Sequence, residues 1–259
     1  MRIRKAARAF WVGFCQGAAE LLPVSSSTHA ALLEGEQRPG SGHTLTVLLH
    51  GATGAALLGG VGDGEAVPIR ALLPAVTLPA ATGFFLDRRF AGRKAGARGQ
   101  LVGLFAGSAV MAAGELCKRG QRGAQEAGVK DGLWLGVAGT LSLLPGFSRS
   151  GTTAAVARLR GFSPPAAARL SWACGLPLLL GAGALRLGRA LAAAQLPAGE
   201  VALPAAAGAY LGGRVGLRLG LQRLGAERPL PFAAYRAGLA ALLLARARAS
   251  AQSRSSSSG

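Results

Sequence analysis

Leu21-Leu22-Pro23-Val24-Ser25-Ser26-Ser27-Thr28-His29 recurs in altered form as Leu143-Leu144-Pro145-Gly146-Phe147-Ser148-Arg149-Ser150-Gly151-Thr152-Thr153. One shift of 122 residues lays Pro23 on Pro145 and Ser26 on Ser148, and it is close to half of the 259-residue chain. In both copies a proline interrupts an apolar run, and hydroxyls with an imidazole or a guanidinium follow. Proline lacks an amide hydrogen and pushes the residue before it out of helix, so each copy predicts a break between two helical pieces. Two copies of one broken hydrophobic segment predict a duplicated membrane protein with a polar site between its halves.

The placement of apolar residues points the same way. They gather into runs near 6–33, 45–61, 71–86, 101–116, 133–144, 170–185, 201–219 and 231–245. Several approach the ~20 residues with which a helix crosses a bilayer core of ~30 Å, and others are shorter, as broken or re-entrant segments are. The expected fold class is all-α, a polytopic integral membrane protein. Gly supplies 40 of the 259 residues and aromatic side chains only 5%. Helices in lipid gain little hydrophobic force against each other, so small residues that let backbones approach are how they pack. A high-GC genome inflates the same residues, so composition carries only part of this inference. One membrane domain is expected over 1–249, with a first repeat about 1–100 and a second about 101–249. The Ser-rich tail over 250–259 lacks apolar periodicity and is expected to be disordered.

The formal net charge is +18, from 29 Lys and Arg against 11 acids. In a soluble chain that excess would suggest nucleic acid, but here many cations stand at run ends: Arg2, Arg4, Lys5 and Arg8; Arg88, Arg89, Arg93, Lys94 and Arg98; Lys118, Arg119 and Arg122. Such clusters stay cytoplasmic and meet anionic headgroups, so membrane lipids are the expected partners and nucleic acid is not. The 88–98 loop is the expected cytoplasmic one. Arg186, Arg189, Arg214, Arg218, Arg223, Arg246 and Arg248 leave the second half ambiguous by counting. The basic N-terminus resembles a secretory signal, but Gln16 and Glu20 interrupt its core, and the segment is expected to be retained. Cys15, Cys117 and Cys174 are far apart with no paired spacing and are read as small packing residues.

Four polar groups stand out. A carboxylate within a span costs about 2.5–3.5 kcal/mol on insertion scales, so Glu20 is a functional candidate. Gln16 lies one helical turn earlier on the same face, and the two oxygens together can hold a hydrated cation. The hydroxyls from Ser25 to Thr28 suit a helix start after Pro23. His29 follows Ser26 by three residues, which on a helix lets the imidazole accept the serine proton. Arg149, between Ser148 and Ser150 and ahead of Thr152 and Thr153, is the stronger local signal. A planar guanidinium grips phosphate oxygens bidentately, and a new helix N-terminus adds neutral donors around it. Gly146 and Gly151 permit close backbone approach. Ser163-Pro164-Pro165 ends the piece over 152–160 and starts another helix near Ala166.

At these residues the chain resembles the bacterial undecaprenyl-diphosphate phosphatase family, also called bacitracin-resistance proteins. The segment from Gln16 to His29 is similar to the first family signature, and Pro145-Gly146-Phe147-Ser148-Arg149-Ser150-Gly151-Thr152-Thr153 to the second. Val47-Leu48-Leu49-His50-Gly51 and Ala167-Ala168-Arg169-Leu170-Ser171-Trp172 are weaker matches. In order and spacing the likeness covers about 6–244. It implies an inner-membrane, multi-pass enzyme that removes the terminal phosphate from a polyprenyl diphosphate. The product is the monophosphate carrier of cell-wall synthesis, and the activity confers bacitracin resistance. It also implies inverted-topology halves, two re-entrant helix pairs and a site opening to the periplasm, with a homodimer admitted.

Carried over by position, the resemblance assigns catalysis to Glu20, Ser26, His29 and Arg149. Ser25, Ser27, Gly146, Ser148, Ser150 and Thr153 become the expected phosphate-binding set, and Gln16 with Glu20 the expected site for a divalent cation, Mg2+ or Ca2+. Gln16 stands where many relatives have Glu, which makes the metal less secure. Thr28 replaces a common glycine, and His50 replaces a glutamine and adds a titratable neighbour. A polyprenyl-phosphate transporter or flippase is the competing class, because duplicated halves with broken helices also build carriers. The motifs tilt against it, since transport needs the phosphate grip but not a Ser26 and His29 pair beside a carboxylate.

Overall fold

The apolar runs are helices in a computed structural model of the chain, which describes residues 2–26, 28–29, 42–61, 66–90, 97–117, 120–193, 198–222 and 229–256. They are α1 (Arg2–Leu21), α2 (Gly42–Val61), α3 (Ile69–Phe90), α4 (Ala97–Leu116), α5 (Val129–Leu141), α6 (Arg149–Leu159), α7 (Pro164–Ala192), α8 (Gly199–Gln222) and α9 (Leu230–Ser256). A 3-10 turn covers Ala124–Glu126. Among the described residues the only β feature is one isolated bridge between Arg122 and Phe162. Among the described residues three segments are long and apolar enough to cross a membrane: Ile69–Leu86, Arg98–Leu116 and Pro164–Ala192. Their outward faces carry Leu73, Phe84, Phe85, Val102 and Phe105, all exposed on the protein surface as lipid-facing residues are. The protein is an all-α membrane protein.

α5 has 13 residues and α6 has 11. At 1.5 Å per residue neither exceeds about 20 Å, too short for the ~30 Å hydrocarbon core. They form a hairpin turned at Pro145, as the proline predicts. α7 begins at Pro164 with prolines in its first turn, two residues before the expected start, because proline's missing amide is tolerated there.

Glycine sets the helix neighbours and their directions. On α1 a Cβ at Gly13 or Gly17 would collide with the carbonyls of Ala205 or Ala209 of α8, and one at Gly208 or Gly212 would collide with those of Phe10 or Phe14. Residue numbers rise together on both helices, so α1 and α8 run parallel with their backbones in contact, the close approach that small residues permit in lipid. Gly132 and Gly136 press α5 onto Ala71 and Pro74 of α3, also parallel, and Gly103 and Gly114 set α4 beside Pro145 and Ala155. α9 runs against α4: the Leu230 amide donates to Glu115, while Arg236 reaches Gly103. These directions gather the start of α1, the end of α3, the start of α4, the end of α7 and the far end of α9 at one face. The cations Arg4, Lys5, Arg8, Arg88, Arg89, Arg98, Arg189 and Arg246 therefore share it, while Arg70, Arg122, Lys130, Arg160, Arg169 and Arg218 stand toward the other, so cation number alone does not distinguish the two faces. Arg93, Lys94, Lys118 and Arg119 lie outside the described residues.

The α5–α6 hairpin enters from the opposite face, where its base is pinned. Asp131 accepts from Arg122 Nη2 at 2.7 Å and from Arg160 Nε at 3.0 Å, and Arg122 lies over the Phe162 ring with its Cζ 4.1 Å from the centroid. The Ser-rich segment expected to be disordered is helical as far as Ser256 at the end of α9. Its Ala, Gln and Arg residues are good helix formers and extend the helix before serine dominates. Residues 257–259 lie outside the described set.

Candidate active site

The first break is built at the end of α1, whose last two turns carry Gln16 and Glu20 on one face. The helix stops at Leu21, and the Val24 amide closes a turn onto Leu22 O at 2.9 Å. Ser25 then takes φ +70°, the only left-handed non-glycine residue among those described, a conformation that costs an L-residue about 1–2 kcal/mol. Its buried hydroxyl meets Thr28 Oγ1 at 3.0 Å. Past this reversal the chain is helical again at Ser26, and the Ser26 hydroxyl interacts with the Glu20 carboxylate.

The second break is the tip of the hairpin. Gly146 has φ +86°, and its open side is filled by α4, where a Cβ would strike Gln100 O. Ser148 caps α6, its Oγ accepting from the Gly151 amide at 3.3 Å. This leaves other first-turn amides of α6 at the break without intrahelical partners. Arg149 opens α6, and its guanidinium crosses to the first break, with Nη2 3.3 Å from Glu20 Oε1. His50 of α2 approaches the other carboxylate oxygen, Nε2 to Oε2 at 3.7 Å. The side chains of Arg149 and Glu20 are 14% and 10% exposed, so the acid lies between two basic side chains away from the protein surface. Gly175 of α7 makes the room, since a Cβ there would overlap Arg149 Nη1.

The two breaks also dock directly. Ser150 Oγ donates to Leu22 O at 3.1 Å, and Gly151 lies against Pro23. Thr153 Oγ1 is 2.7 Å from Arg149 O and 2.6 Å from Ser171 Oγ, which reaches Ser150 O at 3.0 Å. Ser25, Ser148, Ser150 and Thr153, expected around phosphate, thus hold the breaks and tie α6 to α7 in this arrangement. Hydroxyls beside helix starts satisfy nearby backbone groups first. Gly146 is glycine for its backbone conformation and for the close approach of α4. Ser27 lies outside the described residues.

His29 departs from the expected pairing with Ser26. Its Nδ1 is 2.8 Å from Ser25 O and its Nε2 is 2.7 Å from the Tyr235 hydroxyl of α9. A carbonyl only accepts, so Nδ1 carries the proton, and in the neutral ring Nε2 accepts from Tyr235. Sequence reasoning missed Tyr235, Gly175 and Arg236. For the last the signal was present, an arginine inside the apolar run 231–245.

Gln16, 7% exposed, and Glu20 are the oxygen donors on the α1 face. Among the described residues no group of three or more His, Cys, Asp or Glu side chains converges as a metal cluster. Glu20 Oε1 faces Arg149 and Oε2 faces His50, so a hydrated Mg2+ or Ca2+ held by Gln16 and Glu20 would take most of its ligands from water and phosphate.

The profile of the family described as Bacitracin resistance protein BacA matches residues 65–242. That range contains the second break; the first lies upstream and joins the site by geometry. An undecaprenyl-diphosphatase of Geobacter sulfurreducens is 32% identical over 248 residues, covering 87% of this chain and 92% of the relative. One from Anaeromyxobacter dehalogenans is 35% identical over 205 residues, covering 68% of each. One from Thermomicrobium roseum is 32% identical over 206 residues, covering 67% of this chain and 73% of that protein. Matched over well more than half its length, and with a carboxylate and a guanidinium joined across two proline breaks, the chain belongs to the BacA bacitracin-resistance family.

Proposed function

We infer that this protein hydrolyses undecaprenyl diphosphate to undecaprenyl phosphate and inorganic phosphate, recycling the lipid carrier of cell-wall synthesis and thereby conferring bacitracin resistance. The observation that carries the reading is the Glu20–Arg149 contact: a cation suited to phosphate meets an acid, with the Ser26 hydroxyl and the His50 imidazole beside it, on largely buried helix ends. Phosphoryl transfer relies on positioning and charge stabilisation, and this set supplies both.

In the proposed mechanism the diphosphate displaces Glu20 from Arg149 and is held by the guanidinium and the first-turn amides of α6. Ser26 Oγ attacks the distal phosphorus. The Oγ–P bond forms as the bridging P–O bond breaks, undecaprenyl phosphate departs, and His29, once its Nε2 turns from the Tyr235 hydroxyl to Ser26, receives the serine proton and passes it to the leaving phosphate. Water then cleaves the phosphoserine and restores Ser26. Gln16 and Glu20 would hold a divalent cation whose charge neutralises that of the phosphates. Direct attack by water, with Ser26 only a ligand, is separated by trapping: a phosphorylated peptide containing Ser26 supports the nucleophile, and full activity in Ser26→Ala ends it.

The site opens to the outer side of the membrane in this reading. Support comes from Arg88, Arg89 and Arg98 at the end of α3 and the start of α4, a cluster between spans that the positive-inside rule keeps cytoplasmic, and from the entry of the α5–α6 hairpin on the side away from them.

The deciding assay is phosphate release from undecaprenyl diphosphate by detergent-purified protein, with Glu20→Ala, Ser26→Ala, His29→Ala and Arg149→Ala alongside wild type. Turnover by wild type and its loss in the four folded variants is expected. Lipid movement across liposomes without phosphate release would instead establish a carrier.

A further inference from the structure

Tyr235 and Arg236 are neighbours on α9, a helix that contributes to neither motif, and each touches a different one. Tyr235 donates to His29 Nε2 at 2.7 Å, with the two rings stacked at a centroid separation of 5.8 Å. Arg236 is fully buried and donates from Nη2 to Gly146 O at 2.9 Å and Gly103 O at 3.5 Å. Gly107 of α4 leaves space for it, since a Cβ there would overlap the same Nη2. Its Nε and Nη1 have no hydrogen-bond partner among the described residues.

A buried guanidinium with idle donors is a poor stabilising element, because taking a charge out of water is repaid only by full pairing. Here its one short bond falls on the carbonyl of Gly146, the left-handed residue at the hairpin tip, two positions before the α6 cap and three before Arg149. Its neighbour fixes the only ring nitrogen of His29 with a free lone pair. We propose that Tyr235 and Arg236 are a pair of positioning residues, Tyr235 holding the orientation of the His29 imidazole, whose Nδ1 proton the Ser25 carbonyl fixes, and Arg236 holding the 145–148 turn that aims Arg149. Both act through other residues, and the proposal rests on the phosphatase reading only for its kinetic arm.

Three measurements on the full chain in detergent test it. Tyr235→Phe removes only the hydroxyl, and its kcat is expected to fall about tenfold or more with KM changed less than about twofold, within the range that a general base supplies. The chain has 3 histidines, so nitrogen-15 spectra of labelled histidine, assigned with His29→Gln, are expected to show the His29 Nε2 signal shifted in Tyr235→Phe while Nδ1 stays protonated against the Ser25 carbonyl. Arg236→Met is expected to bind inorganic pyrophosphate about tenfold or more weakly by calorimetry, a loss of the size that misplacement of a binding group produces. Its unfolding temperature should be no lower than that of wild type. Arg236→Lys, which keeps a donor for the Gly146 carbonyl, is expected to recover part of that affinity.

Wild-type kcat and unchanged histidine signals in Tyr235→Phe would overturn the proposal. So would loss of pyrophosphate affinity in Arg236→Met only in step with its unfolding temperature, with no recovery in Arg236→Lys. If wild type released no phosphate while the histidine and pyrophosphate arms behaved as expected, the positioning pair would stand and the phosphatase reading would fall.

Discussion

Glu20 and Arg149 are 129 residues apart in sequence and 3.3 Å apart in space, one at the last turn of α1 and the other at the first residue of α6. The acid serves as the guanidinium's internal counter-anion, and in the proposed mechanism an incoming phosphate must compete with it. Glu20→Gln is therefore expected to bind inorganic pyrophosphate more tightly than wild type while its turnover falls. Arg149→Lys is expected to lose about a hundredfold or more in kcat/KM, because an ammonium cannot reproduce a planar two-pronged grip. Calorimetry with pyrophosphate and phosphate-release kinetics check the two.

Gly175 of α7 has its backbone against the Arg149 guanidinium, leaving no room for a methyl group. Gly175→Ala, harmless to helix propensity, should push the guanidinium aside. An ångström of displacement at a catalytic group costs about a hundredfold in rate, so near-wild-type unfolding with a strongly reduced kcat/KM is expected.

The parallel seam of α1 and α8 makes the opposite kind of prediction. Gly17→Leu places a branched side chain against the Ala209 carbonyl and should destabilise by about 1–3 kcal/mol, as overpacking does. Gly181→Ala, where an added Cβ meets nothing within 4 Å, should be close to neutral. Thermal unfolding in detergent measures both.

Asp131 lies at the base of the hairpin, outside the three spans. Burial pushes its carboxyl up, but Arg122, the Gly128 amide and Arg160 together outweigh burial and hold its pKa at about 2, against 3.8 ordinarily. A depressed carboxyl contributes its stability above the unfolded value and loses it as pH falls through the folded one. Wild type should thus exceed Asp131→Asn in unfolding temperature at neutral pH, with the gap narrowing between about pH 4 and pH 2.

Both breaks were legible because Pro23 and Pro145 coincide with hydroxyls and charge inside an apolar run, and Ser163-Pro164-Pro165 has the form of a helix start; proline alone was not enough, since Pro74, Pro79, Pro177 and Pro204 lie inside helices. The acid and the guanidinium were legible because charge inside an apolar run is costly. The direction in which a hydroxyl points was not. Ser150 and Thr153 have the spacing of phosphate ligands and also of backbone ties, and only the docking of α6 on Leu22 and α7 distinguishes the two. The pairing of His29 with Ser26 failed for a related reason: helical spacing ignores Tyr235, 206 residues away, which holds the ring nitrogen. Nor does a stripe of glycines state its partner; that α1 lies along α8 required coordinates.

The short hairpin has a consequence for biogenesis. Neither α5 nor α6 is long enough to be inserted as a span, and the turn between them exposes carbonyls and a guanidinium that bare lipid does not tolerate. The groups that cover that turn come partly from later in the chain: Ser171 and Gly175 on α7, and Arg236 on α9. During synthesis the hairpin must therefore wait at the membrane surface or in a protected vestibule until the final helix is made. Truncation before α9 should leave the active centre unassembled although every motif residue has been translated.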